Sequence, residues 1–391
     1  MKDEVYCYKR LIESTLKRVR NLDIVEENRN EILEFYRECI IRGYSKARTI
    51  KYINTLEGIV KLLRKPFSQV NKDDIAEFIG KIESKDYSDW TKRDYKIILR
   101  VFWKWLKKTE DYPEEVRWIR IKDSVKTKLP EELLTSEEVM RLVNTADNIR
   151  DKAFILTLYE SGCRIGELLT LQLKHVQFDK YGAVLLVNGK TGQRRVRVII
   201  SAPKLNQWVE NHPLKNLDAP LWITMGTNSR YRVWTYGTTK EVLKKLTQRA
   251  GIKKRVYPHL FRHSRATCLA NHLTEAQMKQ YFGWVQGSDM ASVYVHLSGR
   301  DVDDALFRLN GLKVNEEVKE EEFKPLNCPR CKSRNSPDAK FCSNCGLCLD
   351  IKTSVEIDAV REKADRLMNE LVKNPTVLDS LLEGIEKLKV Q

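Results

Sequence analysis

No run of apolar residues in this 391-residue sequence approaches the ~18 that a membrane-spanning helix needs, and the opening "MKDEVYCYKR" lacks the hydrophobic stretch of a secretory leader. The expectation is a protein without a membrane partner, located in the cytoplasm. Negative charge is also scarce: 54 Asp and Glu face 70 Lys and Arg, a formal net charge of +16. With 42% hydrophobic residues the chain can still bury a core. A foldable chain this basic is attracted to polyanions, nucleic acid first among them. No long internal repeat is present. Cysteine is thinly spread outside one place, because five of the nine crowd between Cys328 and Cys348. In a reducing compartment such a cluster implies metal rather than disulfides.

Glycine is rare from Val5 to Lys128, where helical periodicity dominates. "YINTLEGIVKLLRK" places Ile53, Leu56, Ile59, Val60 and Leu63 on one stripe, and "DDIAEFIGKIE" and "YKIILRVFWKWLKK" behave alike. This predicts a small basic helical bundle in which Trp103 and Trp105 are packing residues. Pro130 interrupts the chain next, and "TSEE" at Thr135 to Glu138 is a capping box that opens a new helix. Three helical segments follow, and then "AVLLVNGKTGQRRVRVII", whose β-branched runs around Gly189 and Gly192 predict a hairpin. Further helices reach about Leu312. "NEEVKEEEF", with five glutamates in nine residues, reads as an exposed spacer.

The residues able to do chemistry are dispersed. Arg164 stands in "SGCRIGEL" at a helix start, where backbone amides favour anions. Lys190 lies in the hairpin turn. His259 and Arg262, in "HLFRHS", are three apart and share a helix face. Burying that guanidinium without an anion is costly, so something negative is expected to meet it. Trp284 and Tyr294 follow in "YFGWVQGSDMASVYVHLS". Arginine suits phosphate because its planar fork donates two hydrogen bonds and stays charged. Taken singly, Arg164 with Glu167 is an ordinary helical ion pair and Tyr294 an ordinary core tyrosine.

As an ordered set, "RIGE", the hairpin lysine, "HLFRHS", "FGW" and a tyrosine ten residues after Trp284 resemble the tyrosine recombinase and integrase family. The resemblance covers about Leu129 to Leu312. It implies a transesterification that needs no cofactor. Tyr294 attacks the scissile phosphorus, forming a 3′-phosphotyrosyl bond and freeing a 5′-hydroxyl. Arg164 and Arg262 neutralise the non-bridging oxygens where charge develops. Lys190 protonates the departing oxygen, and His259 assists proton transfer with the tyrosine. Glu167 orients the charged groups from behind. Where the family often has histidine this chain has Trp284, whose indole N–H can donate to a phosphate oxygen but cannot shuttle a proton. The N-terminal bundle resembles the family's core-binding module, with "SKARTIKYI" and "DWTKRDYKIILRVFWKWLKK" as its basic face toward DNA phosphates.

"CPRCKSRNSPDAKFCSNCG" sets Cys328, Cys331, Cys342 and Cys345 as two CxxC pairs with ten residues between them, the spacing of a closed four-thiolate zinc site. So short a segment has little core, and its folding energy is expected from the metal. It resembles a zinc ribbon. Cys348 is left over.

The fold expected is mainly α with a small β-hairpin or sheet in the catalytic domain. The domains expected are residues 1–128 as a DNA clamp, 129–312 as catalytic domain, 313–325 as acidic linker, 326–350 as zinc ribbon and 351–391 as amphipathic helices. The function expected is a site-specific recombinase acting on double-stranded DNA as a homotetramer, with accessory DNA-bending proteins compatible as further partners. The role expected is integrase of a mobile element. An Xer-like resolver of chromosome dimers shares all the chemistry, and a regulator that binds DNA without cutting is the rival from another class.

Overall fold

The computed structural model describes residues 2–121, 132–189, 191–226, 230–270, 272–297, 309–310, 324–373 and 376. The chain divides into two compact units, one formed by Met1–Leu129 with Thr235–Gly237 and the other by Pro130–Trp234 with Thr238–Gln391.

The first unit carries helices α1 (Lys2–Tyr6), α2 (Tyr8–Arg20), α3 (Glu26–Ile41), α4 (Lys46–Leu63), α5 (Lys72–Ser84), α6 (Asp89–Leu106) and α7 (Glu114–Arg117). Side-chain caps start three of them. Ser45 accepts from the Arg48 amide, Ser88 from the Thr91 amide, and Asn71 forms a capping box with Asp74. The apolar stripes converge on one core in which the Phe102 ring meets Phe35 edge-on at 5.2 Å and Phe67 at 5.0 Å. Trp103 is fully buried there, and Trp105 packs on Phe35 at 5.1 Å. Both tryptophans are spent on packing.

The second unit begins with α8 (Ser136–Thr145), opened by the Thr135–Glu138 capping box, and continues with α9 (Ile149–Ser161) and α10 (Ile165–Leu169). Strands β1 (Val176–Asp179), β2 (Gly182–Gly189) and β3 (Gly192–Val198) form an antiparallel sheet in the order β1-β2-β3. The hairpin expected from the alternation is β2–β3; the short β1 adds a third strand to it. Helices α11 (Ala202–Glu210), α12 (Tyr236–Arg249), α13 (Pro258–Ala270), α14 (Glu275–Phe282) and α15 (Met290–Leu297) complete the body of the unit. Helix α9 is buried on almost every side and packs on α8, α11, α13 and β3, so it is the axis around which the site-bearing elements are hung. The architecture of this body is thus mainly helical with a small three-stranded antiparallel sheet.

Beyond this lie β4 (Leu326–Asn327), β5 (Arg334–Asn335) and the long helix α16 (Ile351–Lys373). The ribbon touches the rest of its unit through Lys204 paired with Asp338 at 3.2 Å and through Arg334, which donates to the Tyr181 carbonyl at 3.4 Å. The acidic spacer, residues 315–323, falls outside the described residues. Helix α16 leaves Val355, Val360 and Leu367 exposed and buries only Thr353.

Candidate active site

Helix α9 ends at Gly162, which takes the left-handed conformation with φ 54°. A side chain there is strained and also crowded, because a Cβ would approach the Phe282 ring to 2.4 Å. The turn hands the chain to Arg164, the residue that caps α10. Its backbone N–H donates to one oxygen of Glu167 at 3.0 Å and its guanidinium to the other at 2.9 Å. "RIGE" is therefore a closed loop of hydrogen bonds that fixes Arg164 from both ends.

Glu167 is only 4% exposed, and Arg194 of β3 donates to it at 2.6 Å. Burial alone would raise this carboxyl, but the hydrogen bond and charge of Arg194, followed by those of Arg164, hold its pKa below the ordinary value. Arg194 also donates to the Tyr281 carbonyl at 3.0 Å, which ties the hairpin to α14. Sequence reasoning missed this arginine. A signal existed, because Arg194, Val196 and Val198 alternate along β3 and share the face that turns inward.

Helix α13 supplies the second phosphate-binding candidate. Arg262 is 6% exposed and donates to the carbonyls of Gly162 at 2.8 Å and Phe282 at 2.7 Å. Its guanidinium lies over the rings of Phe282 and Trp284, 5.1 and 5.4 Å from their centroids. Burial, reinforced by the charge of Arg164, pushes its pKa down to about 10, so it remains charged at neutral pH. Among the described residues Arg262 forms no ion pair. Two guanidiniums, those of Arg164 and Arg194, thus share the Glu167 carboxylate, and Arg262 adds a third positive charge beside them. That local excess of positive charge is costly to bury and is relieved by an entering anion.

Trp284 follows α14 and stacks flat on Tyr294 of α15, with centroids 5.6 Å apart and planes within 3°. Tyr294 is 5% exposed. Its hydroxyl meets Nδ1 of His263 at 2.5 Å. Burial raises the Tyr294 pKa to about 12 against the downward pull of Arg262, so the resting group is a neutral phenol. His259, one turn earlier on α13, lies at the solvent edge, its ring 6.1 Å from that of His263. The protein still displaces enough water, and Arg262 and Arg164 add enough positive charge, to lower its pKa. The sequence reading paired the tyrosine with His259; the structure brings its hydroxyl to His263.

Arg164, Glu167, His259, Arg262, Trp284 and Tyr294, dispersed over more than a hundred residues of sequence, are thus linked by contact or by charge. Lys190 lies outside the described residues. Its neighbours both reach the site: a Cβ on Gly189 would come 2.4 Å from the Glu167 carboxylate, and the Thr191 hydroxyl donates to the Gly283 carbonyl at 3.2 Å.

The cysteine motif forms a separate centre. The sulfurs of Cys328, Cys331, Cys342 and Cys345 all lie within 4.8 Å of one another. The pairs Cys328–Cys345 and Cys331–Cys342 are 3.6 and 3.5 Å apart. Tetrahedral zinc with bonds of about 2.3 Å separates its sulfurs by roughly 3.8 Å, so the donor set fits that ion. Both CxxC turns share one construction. The amide of Lys332 donates to the Cys328 carbonyl and that of Gly346 to the Cys342 carbonyl, each at 2.9 Å, with φ of 59° and 71° at the two donors. Cys348 stays out of the cluster and donates to the Asp350 carbonyl at 3.3 Å.

A mainly helical unit thus gathers arginines around a stacked tyrosine. Residues 132–300 match the phage integrase family. The tyrosine recombinase XerA of Pyrococcus furiosus is 28% identical over 289 residues, 73% of this chain and 96% of that protein. In fold the chain is similar to a XerH site-specific recombinase bound to a palindromic difH substrate in a post-cleavage complex, at TM-score 0.55 and 18% identity, covering 79% of this chain and 98% of that one. It is also similar to a lambda integrase tetramer bound to a Holliday junction, at TM-score 0.53 and 16% identity, covering 70% and 79%. Residues 132–300 thus carry a phage integrase domain, and the chain is a site-specific recombinase similar to the tyrosine recombinases. Its ribbon and α16 lie beyond the matched residues.

Proposed function

We propose that the protein cuts and rejoins duplex DNA through a 3′-phosphotyrosine on Tyr294, as the integrase of a mobile element. The observation that carries the reading is the buried guanidinium of Arg262, held among the described residues by carbonyls alone, beside Arg164 and the stacked Tyr294. A scissile phosphate is the anion that this arrangement lacks. Arg164 and Arg262 bind its non-bridging oxygens, and their placement before the reaction means that little reorganisation is needed as charge builds. Glu167, clamped between Arg164 and Arg194, keeps the first guanidinium aimed. Trp284 stacks on the nucleophile and offers its N–H to a phosphate oxygen. His259 donates to the phosphate, and Lys190 protonates the leaving 5′-oxygen.

Two such chains on each of two duplexes make a tetramer. The likeness to a lambda integrase tetramer supports this, as does the uncovered apolar side of α16, suited to a neighbouring protomer. The N-terminal unit clamps the duplex through its basic face. Zinc in the four-cysteine centre folds the ribbon, which adds a grip on DNA or on a second subunit; one zinc per chain by elemental analysis, lost with Cys342→Ser, is the expected result. A second reading, resolution of chromosome dimers, is favoured by the similarity to XerA.

The test is covalent trapping on labelled duplexes tiled across the flanks of the gene and across the chromosome. A protein–DNA adduct that disappears with Tyr294→Phe is expected, on the element's ends for an integrase and on one chromosomal site for a resolver. Binding without an adduct on any duplex, nicked ones included, would assign the protein to the non-cutting regulators.

A further inference from the structure

We propose that His263, and not the histidine of the "HLFR" box, is the base that takes the proton of the nucleophile. The inference rests on Tyr294 being the nucleophile. His259 and His263 lie four apart on α13 and share a face, but they occupy different depths. His259 is at the exposed end of the helix, whereas His263 is half-buried one turn further in. The hydroxyl of Tyr294 points at Nδ1 of His263 across 2.5 Å, and the two rings are 6.0 Å apart. With its proton on Nε2, the imidazole presents Nδ1 as the acceptor, and the tyrosine O–H donates to it.

The surrounding groups make a base necessary at that position. Stacking on Trp284 and near-complete burial keep Tyr294 a neutral phenol, with Arg262 the cation that pulls the other way. A hydroxide ion from solvent has little access to an oxygen in so enclosed a place. Among the described residues His259 and Arg262 on the same helix, and Tyr257 before it, face the pair. The positive charge on Arg262 favours transfer by stabilising the phenolate.

The step balances without a cofactor. The Tyr294 O–H bond breaks and its proton passes to His263 Nδ1. The freed electron pair on Oη forms the bond to phosphorus, the bond from phosphorus to the 5′-oxygen breaks, and that oxygen is protonated by the general acid. Rejoining runs the same transfers in reverse, with His263 returning the proton to the departing tyrosine. His259 remains available to the phosphate itself.

The experiment compares the wild type, Tyr294→Phe, His263→Ala and His263→Asn on two versions of one suicide duplex, with a normal phosphodiester and with a 5′-bridging phosphorothiolate. Sulfur leaves without a proton, so the second substrate bypasses the general acid and isolates activation of the nucleophile. Asparagine can keep an acceptor near the Nδ1 position but cannot take the proton. The expected result is that either His263 variant that melts and binds DNA as the wild type does forms adduct about 10²–10⁴-fold more slowly on both substrates. Adduct formation within about threefold of wild type, or full rescue by the phosphorothiolate, would overturn the assignment. An adduct that persists in Tyr294→Phe would instead refute the choice of nucleophile, independently of His263.

Discussion

In the N-terminal bundle the charges stay at the rim, as with Lys107 and Glu115 at 3.4 Å, whereas the catalytic unit carries Glu160, Glu167 and Arg262 into its interior. The bundle is held by aliphatic and aromatic surface removed from water, which is favourable whatever the partner. Exposed ion pairs around it contribute little, because both ions were well solvated before they met. In the catalytic unit each buried charge must find an internal partner. Glu160 accepts from the amides of Ile199, Ile200 and Ser201 and from the Ser201 hydroxyl, at 2.6 to 2.9 Å, a closed account with no role for a ligand. Around Glu167 the count does not close, and the surplus is positive. Buried charge is a sign of function where its partners inside the protein run out.

A paired substitution tests that difference most strongly. Arg262→Ala should lower strand cleavage on the order of 10³-fold while leaving the melting curve of the bundle unchanged. Phe102→Ala should do the reverse, destabilising the bundle by about 3–5 kcal/mol with cleavage retained wherever the protein is folded. Adduct formation and denaturant unfolding, each measured on both variants, check the pair. Retained cleavage in Arg262→Ala would make the buried guanidinium purely structural.

A smaller effect sharpens the same comparison through pH. The folded-state pKa of Glu167 lies below its ordinary value of 4.5. Its contribution to stability is therefore complete above that value and is lost as pH falls through the folded pKa. Thermal melts of the wild type should show this loss in the acid range, and Glu167→Gln should flatten the limb, with a lower plateau at neutral pH. Phe102→Ala should shift the whole profile without changing its shape. An unchanged limb in Glu167→Gln would show that the clamp by Arg194 and Arg164 does not favour the ionised carboxylate.

Legibility in the sequence followed the range of the interaction. The capping box at Thr135, the stripe of α4, the β2–β3 hairpin and both CxxC turns are local, since the atoms that make them lie within a few residues or a regular period. The "RIGE" loop belongs with them, because i to i+3 hydrogen bonds fix it. Arg194 was legible in principle through its alternation with Val196 and Val198, but a charge on an inward face is ordinarily read as an exception to the pattern. The contact between His263 and the Tyr294 hydroxyl was not legible at all. His259 and His263 differ by one helical turn, and only the depth at which α15 packs on α13 decides which of them the hydroxyl reaches.

By itself, then, the sequence determined the helical character of both units, the hairpin, the paired cysteine turns and the likeness to the tyrosine recombinases. Each of these is set by periodicity, by short-range hydrogen bonding or by the order of motifs along the chain. The tertiary structure decided which guanidiniums share Glu167, which carbonyls hold Arg262, and which imidazole faces Tyr294. Those outcomes depend on residues up to 119 positions apart, as from Arg164 to Gly283, being packed to within hydrogen-bond distance. At that range a shift of about 1 Å makes or removes a contact, and only the packed core sets distances so finely.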